Sequence, residues 1–492
     1  MYFKFSFLNQ VKKNNFFQII DDEEGSISKN DLINNINKIS NFFHKKKKII
    51  FFPENNIKSI TLLLSFIYNG SKIFILNDDN YLDDIDNLIG KFKPQLIIGN
   101  FQKIKFLKKK IKNLKYFNNF LTYDGKFKNC FLFENLIKNK ISKKLNIKKN
   151  IKAEIICSTS GTTGFPKKIH FMKDNFISRA INSNSGYKIK KGKFLITTPF
   201  YHSLALKCLF MALLSKNKII LMNNFTTFKC KRILKKNDRI IWHTSSSQIK
   251  EMIINFNKQF INNKNIISII SCADSLDKKF KIMLKNAKYD FFDTYGCAET
   301  DGISSVLINT NVKDLNTVGK VNKSHKVKIL INKKLTELPN KIGEICARTK
   351  LICNKINDKL QNKNFFFKNY YKTGDLGYFD KKKNLFITGR KKNLIIISGV
   401  NLYPERIENI LRKNNKIKNA AVIGGKSLEK GQSIVAFIST IKKITEIEVI
   451  NYLMNKIPSF CLPKKIYILK KIPTNEIGKV DRYKLHSYLN QF

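Results

Sequence analysis

The stretch STSGTTGFPK, Ser158 to Lys167, combines five hydroxyl-bearing side chains with two glycines between apolar segments at 155–156 and 169–172. Glycine lets backbone N–H groups approach an anion, and Ser and Thr hydroxyls add further donors. We therefore predict that this stretch is a loop between two strands and that it binds phosphate groups.

The position of the lysine separates this stretch from the phosphate-binding loop of pattern GxxxxGK[ST]. Lys167 follows Gly161 and Gly164 at the wrong spacing for that pattern, and no helix begins directly behind it. A flexible Ser/Gly turn is the alternative interpretation for an arbitrary segment of this composition. The motifs that follow along the chain decide between the two.

Six further motifs follow in chain order, and each of them could have been absent. They are PFYHSL (199–204), SCADSL (271–276), DTYGCAET (293–300), KTGDLG (372–377), GRKKNLIIISGVNLYPERIE (389–408) and PTNEIGKVDR (473–482). With the first stretch they resemble the signature motifs of the adenylate-forming (AMP-binding) superfamily, and in particular acyl-CoA synthetases and 4-coumarate–CoA-ligase-like enzymes. SISKND (26–31) is similar to an early strand-to-helix segment of that family, so the resemblance covers nearly the whole chain.

The resemblance implies an ATP site with Mg²⁺. It assigns adenine to Asp293 and Tyr295, the two ribose hydroxyls to Asp375, and the metal to Glu299. The residues that it assigns to ATP and AMP are Thr159, Ser160, Gly161, Thr162, Thr163, Gly164, Lys167, Ala273, Asp274, Asp293, Thr294, Tyr295, Gly296, Asp375 and Arg390.

The resemblance also implies a two-step reaction in which a small domain rotates. Lys479 would span the acid and the α-phosphate while pyrophosphate leaves, and His202 would lie at the acyl entrance. Rotation about Lys392 would then admit CoA. The tunnel for its thiol arm would be lined by Ser398, Gly399 and Val400.

Four positions depart from the family's pattern. Ala298 stands where Thr or Ser usually precedes the magnesium-binding Glu, and Cys272 and Ala273 replace glycines of the adenine turn. Lys168 stands where Gly is common. These departures leave a slow enzyme as an open alternative.

The segment PFYHSL indicates which acids are excluded. An amino acid brings an ammonium group that a buried site must pair with a carboxylate, and this segment has no Asp. We expect a fatty or aromatic acid instead. The candidate pocket residues are Phe200, Tyr201, His202, Trp242, His243 and Ser271, of which Trp242 is equally well explained as core.

Length and hydrophobic pattern predict two domains of α/β type. A chain of 492 residues exceeds the roughly 250–300 residues that one core can serve. Apolar runs at 48–52, 72–76 and 95–99 alternate with segments of helical period such as 56–68, a pattern typical of a layered parallel sheet wrapped by helices. We predict a large domain over residues 1–389 and a small mobile α+β domain over residues 390–492.

The formal charge of +56 would ordinarily suggest a nucleic-acid partner. Only eight of the 92 basic residues are Arg, whose planar guanidinium makes paired hydrogen bonds with bases and phosphates. The lysines are distributed along the whole sequence. We therefore expect no nucleic-acid partner. The nine cysteines form no CxxC pair, and no stretch predicts a signal peptide or a membrane span, which favours the reducing cytoplasm.

The expected activity is ATP-dependent ligation of a carboxylic acid to CoA through an acyl-AMP. Two alternatives stay open from the sequence. An acyl-carrier protein could replace CoA as acceptor, and its acidic surface would suit the basic chain. The chain could also be a degenerate binder that keeps the fold without the chemistry.

Overall fold

A computed structural model describes residues 18–23, 25–76, 85–111, 119–126, 128–138, 152–159, 167–310, 312–357, 365–397, 400–427, 431–454, 456–474 and 478–489. Within them three sheets precede residue 391 and a fourth follows it. The predicted α/β architecture, with a large first domain and a small second one, is confirmed.

The first sheet has eight strands among the described residues. In pairing order they are β20 (Lys355–Ile356), β9 (Lys167–Met172), β8 (Glu154–Thr159), β4 (Lys72–Ile75), β3 (Lys48–Phe51), β5 (Leu96–Gly99), β6 (Phe120–Thr122) and β7 (Cys130–Leu132). Pairing is parallel from β8 to β7 and antiparallel at β8–β9 and β9–β20. The three predicted strands at 48–52, 72–76 and 95–99 are confirmed to within one residue at each end.

The second sheet has nine strands in the part of the chain that the structure describes. In pairing order they are β16 (Lys320–Val321), β15 (Asp301–Leu307), β14 (Asp290–Cys297), β13 (Ile266–Cys272), β12 (Ile240–Ser245), β10 (Lys193–Ile196), β11 (Lys218–Leu221), β1 (Gln18–Asp21) and β2 (Gly25–Ser28). Strands β12, β13 and β14 are parallel neighbours. Their carboxyl ends therefore lie side by side, which is where open α/β sheets bind ligands.

Helices fill the space between these two sheets and cover their outer faces. The inner helices share one buried apolar cluster with both sheets and are α1 (Lys29–Phe42), α2 (Ile57–Tyr68), α5 (Phe133–Lys138), α6 (Lys173–Gly186) and α7 (Ser203–Leu214). Of these, α5 adds Phe133 and Leu136 to the cluster. The other helices of this domain are α3 (Ile85–Phe92), α4 (Phe101–Lys110), α8 (Thr227–Lys236), α9 (Ser246–Ile261) and α10 (Lys278–Leu284).

Two of these helices begin where the sequence predicts a start. Ser28 caps α1, its Oγ accepting from the N–H of Asp31 at 3.2 Å. Asn56 caps α2, its Oδ1 accepting from the N–H of Ser59 at 2.8 Å. Each side chain satisfies one of the first-turn N–H groups that the helix itself cannot pair.

A third, antiparallel sheet packs its apolar face against the end of the second sheet through Tyr295 and Ile303. Its strands are β17 (His325–Ile331), β18 (Lys334–Thr336), β19 (Gly343–Thr349), β21 (Phe366–Phe367), β22 (Tyr370–Phe379) and β23 (Leu385–Arg390). This sheet carries Asp375 and Arg390 opposite each other in register.

The small domain is built on the fourth sheet. Its strands are β24 (Ile395–Ile397), β25 (Val400–Leu402), β26 (Ile417–Ser427), β27 (Gly431–Thr440) and β28 (Lys465–Leu469). One face packs against α11 (Pro404–Leu411) and α12 (Glu446–Met454), and the other against α13 (Arg482–Leu489). Short 3₁₀ helices are Lys391–Asn393 and Ser459–Cys461.

The change from the third sheet to the fourth lies between Arg390, where β23 ends, and Ile395, where β24 begins. The boundary at residues 389 and 390 stays a prediction. Across the described ranges, no helix is both long and apolar enough to cross a lipid bilayer.

Candidate active site

The phosphate-loop motif connects two paired strands. Strand β8 ends at Thr159, β9 begins at Lys167, and the two pair antiparallel. The five predicted phosphate contacts Ser160, Gly161, Thr162, Thr163 and Gly164 lie outside the described residues. The two strands predicted on either side of the motif are confirmed.

Lys167 and Glu299 form a largely buried ion pair at the base of this loop. Lys167 Nζ donates to Glu299 Oε1 at 2.8 Å and lies 3.4 Å from the hydroxyl of Tyr371. Burial raises the pKa of the Glu299 carboxyl, but the charge and hydrogen bond of Lys167 outweigh it and hold the pKa below its ordinary value. Glu299 is therefore an ionised carboxylate inside the protein.

Arg179 fixes the backbone that carries Glu299. Its guanidinium, on α6, donates to the carbonyls of Ala298 at 2.8 Å, Glu299 at 2.7 Å and Leu351 at 2.7 Å. The side chain is buried, and the guanidinium lies 4.7 Å from the ring of Phe171. The planar guanidinium thus holds three backbone carbonyls in place close to the Glu299 carboxylate.

The adenine turn follows β13. Ser246 Oγ lies 2.8 Å from Ser271 Oγ and donates to the carbonyl of Asp274 at 2.7 Å, so the turn is tied to the start of α9. Thr294 donates to the carbonyl of Ser271 at 2.6 Å. Ala273 has φ of 75°, a conformation that favours glycine, which is the residue expected there from the family's pattern.

Asp293 has a partner that the sequence did not reveal. Lys281 Nζ, on α10, lies 2.6 Å from Asp293 Oδ2, and both side chains are 5% exposed. Lys281 also donates to the carbonyl of Thr317 at 3.3 Å. Lys281 is one of 84 lysines, so no signal in the sequence singled it out.

Asp375 is held by three neighbours. The hydroxyl of Tyr295 donates to its Oδ2 at 2.9 Å, and Arg390 Nε lies 2.8 Å from its Oδ1. The Asp375 N–H donates to Thr373 Oγ1 at 3.1 Å. The structure therefore brings Tyr295 to Asp375 and Arg390, which lie on the paired strands β22 and β23 far along the chain from it.

Gly296 follows Tyr295 at a register shift between β14 and β15. A Cβ atom there would lie 2.2 Å from the carbonyl oxygen of Asp301, so only glycine fits without a backbone shift. The close approach fixes where the Tyr295 side chain leaves the strand.

The small domain brings Lys479 to the same site. Burial, and then the charge of Arg390, lower the pKa of Lys479, while Asp274 and Asp375 act in the opposite direction. Next to it, Gly478 has φ of 77°, and a Cβ atom there would lie 2.5 Å from the side chain of Ser247 on α9. The lysine is thus docked between the adenine turn and the Asp375 strand.

His202 faces Lys479 from the large domain. Its Nε2 is buried and has no hydrogen-bond partner among the described residues. Burial, and then the charge of Lys479, lower the pKa of His202 to about 4. The imidazole is therefore neutral near pH 7.

Four of the five other candidate pocket residues are buried. Trp242 is fully buried in the core outside the inner helices, where its Nε1 donates to Thr197 Oγ1 at 3.0 Å. Phe200, His243 and Ser271 are at most 1% exposed, whereas Tyr201 is partly exposed beside the ring of His202. The burial of Trp242 favours its interpretation as core.

The predicted hinge residue Lys392 lies in the 3₁₀ helix Lys391–Asn393. Its neighbours contact both domains: Lys391 Nζ lies 2.9 Å from Glu344 Oε2 of the third sheet, and Asn393 donates to Glu405 Oε1 at 2.9 Å. Of the predicted tunnel residues, Ser398 and Gly399 lie outside the described residues, and Val400 begins β25.

Tyr371, Arg179 and Lys281 are contacts of the site that sequence reasoning missed. A signal existed for two of them. Tyr371 directly precedes the motif KTGDLG, and Arg179 is one of only eight arginines in the chain.

Comparison with known proteins decides the family. A profile of the AMP-binding enzyme family matches residues 9–354, and one of the AMP-binding enzyme C-terminal domain matches residues 406–479. This chain belongs to the AMP-binding enzyme family. The family predicted from the seven ordered motifs is confirmed, and so is the predicted class of enzyme, an AMP-forming acid–thiol ligase.

This AMP-binding enzyme is 27% identical over 333 residues to the 2-succinylbenzoate–CoA ligase of Oceanobacillus iheyensis, a match that covers 66% of the chain and 68% of the relative. Its fold is similar to that of the o-succinylbenzoate CoA synthetase MenE from Bacillus subtilis in complex with the acyl-adenylate intermediate. The TM-score is 0.84 at 19% identity, over 97% of each chain.

The same Bacillus subtilis enzyme in complex with ATP and magnesium ion gives a TM-score of 0.83 at 18% identity. That match covers 98% of this AMP-binding enzyme and 99% of the solved chain.

Proposed function

We propose that this enzyme activates an aromatic carboxylic acid as its acyl-AMP when Lys479 is docked, and that it then transfers the acyl group to CoA. The observation that carries the proposal is the burial of Lys479 at the large domain, where Gly478 packs on Ser247. The charges of Asp375 and Arg390 act on the lysine there, and the charge of the lysine acts on His202. A cation at that point would bring the acid and the α-phosphate together against their mutual repulsion.

The nucleotide would lie along the carboxyl ends of β12, β13 and β14. Asp375, oriented by Tyr295 and Arg390, would accept the ribose hydroxyls. The adenine would lie on the turn at Ala273 and Asp274, beside Thr294. Asp293 would act there together with Lys281, because the two charges pair at 2.6 Å.

The donor set around Glu299 fits Mg²⁺. This metal is commonly held by one or two carboxylates, with substrate phosphates and waters as further ligands. Glu299 supplies one ionised carboxylate, and in the described ranges no cluster of three or more metal-binding side chains competes with it. When bound, Mg²⁺ would supply positive charge to the phosphate oxygens.

Lys167 would change partner as the nucleotide enters. Its ion pair with Glu299 keeps both side chains in place before binding, at 2.8 Å. A phosphate at the loop 160–166 would attract the lysine, which follows directly, and release one carboxylate oxygen of Glu299. Arg179 would keep the Glu299 backbone fixed during this exchange.

An aromatic acid is the best-supported substrate. Similarity to the 2-succinylbenzoate–CoA ligase of Oceanobacillus iheyensis points to an aromatic acid that carries a second carboxyl group. The neutral His202 and the absence of an Asp in PFYHSL argue against an amino acid. We propose CoA as the acceptor because the same relative is a CoA ligase.

We place this reaction in the cytoplasm. All nine cysteines are free, and six of them are buried, which is the pattern of a chain that folds under reducing conditions.

The test is a panel of acids scored by pyrophosphate release, with CoA and a purified acyl-carrier protein offered in parallel. We expect release with 2-succinylbenzoate and other aromatic acids, followed by product on CoA. Acylated product on the carrier protein alone would show that the carrier protein, and not CoA, is the acceptor. No acid-dependent pyrophosphate exchange with any acid would overturn the proposed activity in favour of a binding protein.

A further inference from the structure

The two domains meet through an ion pair that none of the seven motifs explains. Arg412, which follows α11 in the small domain, has its Nε 3.1 Å from Oδ1 of Asp277 in the large domain. Lys250 of α9 lies 3.4 Å from Oδ2 of the same carboxylate. The side chains of Arg412 and Asp277 are each 15% exposed, and that of Lys250 is 21% exposed. Solvent therefore screens the Arg412–Asp277 ion pair less than it screens a pair on the surface.

Asp277 belongs to the segment that forms the nucleotide site. It stands three residues after Asp274, whose charge acts on Lys479. It precedes α10, yet its side chain makes no capping hydrogen bond there. Its carboxylate is thus committed to the two cations and not to the helix.

The Arg412 side chain is fixed within the small domain by other contacts. Its Nη1 donates to the carbonyl of Ala420 at 3.2 Å and its Nη2 to Asn409 Oδ1 at 2.6 Å, and Glu408 lies 3.8 Å away. A guanidinium that is already ordered loses little conformational entropy when it meets a carboxylate. The contact therefore favours one orientation of the small domain.

We propose that the Asp277–Arg412 ion pair is a clasp that holds the small domain docked for adenylation, so that both residues position Lys479. The inference rests on the proposed function, because the clasp has a role only if the docked state performs the first half-reaction. Breaking this ion pair would cost free energy during the rotation that precedes transfer of the acyl group to the thiol of CoA. The clasp thus sets the balance between the two half-reactions.

The cleanest probe is Asp277→Asn, which keeps the size of the side chain and removes its charge. We expect pyrophosphate release to fall about 5- to 10-fold, as for loss of a partly buried ion pair, while CoA transfer from supplied acyl-AMP stays within about twofold. Equal losses in both half-reactions would show a merely structural role and overturn the clasp.

Two control variants separate the clasp from general loss of charge. Lys250→Gln removes the other partner of Asp277 without touching the domain contact, and Glu448→Gln breaks the 2.6 Å pair with Lys416 inside the small domain. Neither should change the ratio of the half-reactions. If Lys250→Gln lowers that ratio as much as Asp277→Asn, the contact across the domains is not what matters.

A double variant tests whether the two residues act through one contact. Asp277→Asn with Arg412→Gln should lose no more adenylation than the stronger single variant. Additive losses would refute the pairing.

Amide hydrogen exchange tests the clasp independently of enzyme activity. Gly478 packs on Ser247, so the peptide over 245–248 should exchange several-fold faster in Asp277→Asn and at the normal rate in Lys250→Gln. Unchanged exchange in Asp277→Asn overturns the clasp even if the unsubstituted enzyme is active. Absence of pyrophosphate release by the unsubstituted enzyme overturns the proposed function and leaves this measurement intact.

Discussion

Lys479 shows how much of a residue's chemistry comes from its surroundings. It is one of 84 lysines, but burial and the charge of Arg390 lower its pKa, while Asp274 and Asp375 favour the charged form. Lys479 is thus a buried amine on which the charges of two carboxylates act. Such a group binds an anionic substrate strongly when one enters.

Replacing Lys479 with Ala should separate the half-reactions. We expect acid-dependent pyrophosphate release to fall at least about a hundredfold, because charge stabilisation at a reacting phosphate is removed. Acyl transfer from supplied acyl-AMP to CoA should be largely spared, since we propose that the lysine serves only the docked state. Equal loss in the two assays would contradict this division.

Ala273 is strained by its backbone conformation. With φ of 75°, its Cβ costs about 1 kcal/mol that glycine would not. Ala273→Gly should therefore raise the free energy of unfolding by about 0.5–1 kcal/mol, measured by urea unfolding at constant slope. Ala273→Val is the matched control and should lower it; a stabilising Val would show that strain is absent.

At the scale of the element, the β8–β9 hairpin anchors both ends of the phosphate loop. His170 Nδ1 on β9 lies 2.6 Å from Glu154 Oε1 on β8, and Lys72 of β4 lies 3.2 Å from the other carboxylate oxygen. The hydrogen bond from His170, opposed by burial and supported by Lys72, lowers the pKa of Glu154 to about 2. The ionised carboxylate thus holds neighbouring strands together.

This pair predicts a pH-dependent contribution to stability. The folded pKa lies below the ordinary value of 4.5, so the contribution is complete above pH 4.5 and is lost as the pH falls toward 2. Glu154→Gln should cost about 1–3 kcal/mol at pH 6 and progressively less below pH 4.5, measured by urea unfolding at each pH. A difference that does not shrink in acid would contradict the assignment.

The elements were predictable where hydrophobic pattern alone determines them. The helix predicted over 56–68 is confirmed as α2, and the apolar runs at 72–76 and 95–99 are confirmed as β4 and β5. Which strands pair was not predictable, because parallel neighbours such as β10 and β12 are separated by other elements along the chain.

The candidate site was predictable as motifs and not as contacts. The sequence placed Asp375 and Tyr295 in one site, and the structure joins them at 2.9 Å. It could not place Lys281 against Asp293 or Arg412 against Asp277, since a charged residue in a lysine-rich chain has no distinguishing neighbours until the fold brings them.

At the scale of the whole molecule, the two domains are joined by a segment of few residues. Lys391 is tied to Glu344 of the third sheet and Asn393 to Glu405 of the small domain, so Lys392 lies between two attachments. A backbone rotation confined to Lys392 would move the small domain relative to the large one. The contacts of Lys391 and Asn393 would have to break or change partners during that rotation. Hinges typically have this short, exposed form.

Replacing Lys392 with Pro should impair the switch between half-reactions. Proline fixes φ and removes an N–H group, so the segment loses freedom to rotate. CoA transfer should fall about tenfold or more, with pyrophosphate release in a single turnover less affected. Lys392→Ala, which keeps that freedom, is the control, and unchanged transfer in the proline variant would refute the hinge.

The nine thiols have a practical consequence for following this rotation. Burial raises the pKa of every one of them, with Cys272 at about 11, and none is fully exposed. Because the thiolate is the reactive form, the native cysteines should be poor targets for maleimide dyes near pH 7. A single cysteine introduced on the surface of the small domain would then carry a fluorophore in the otherwise natural sequence.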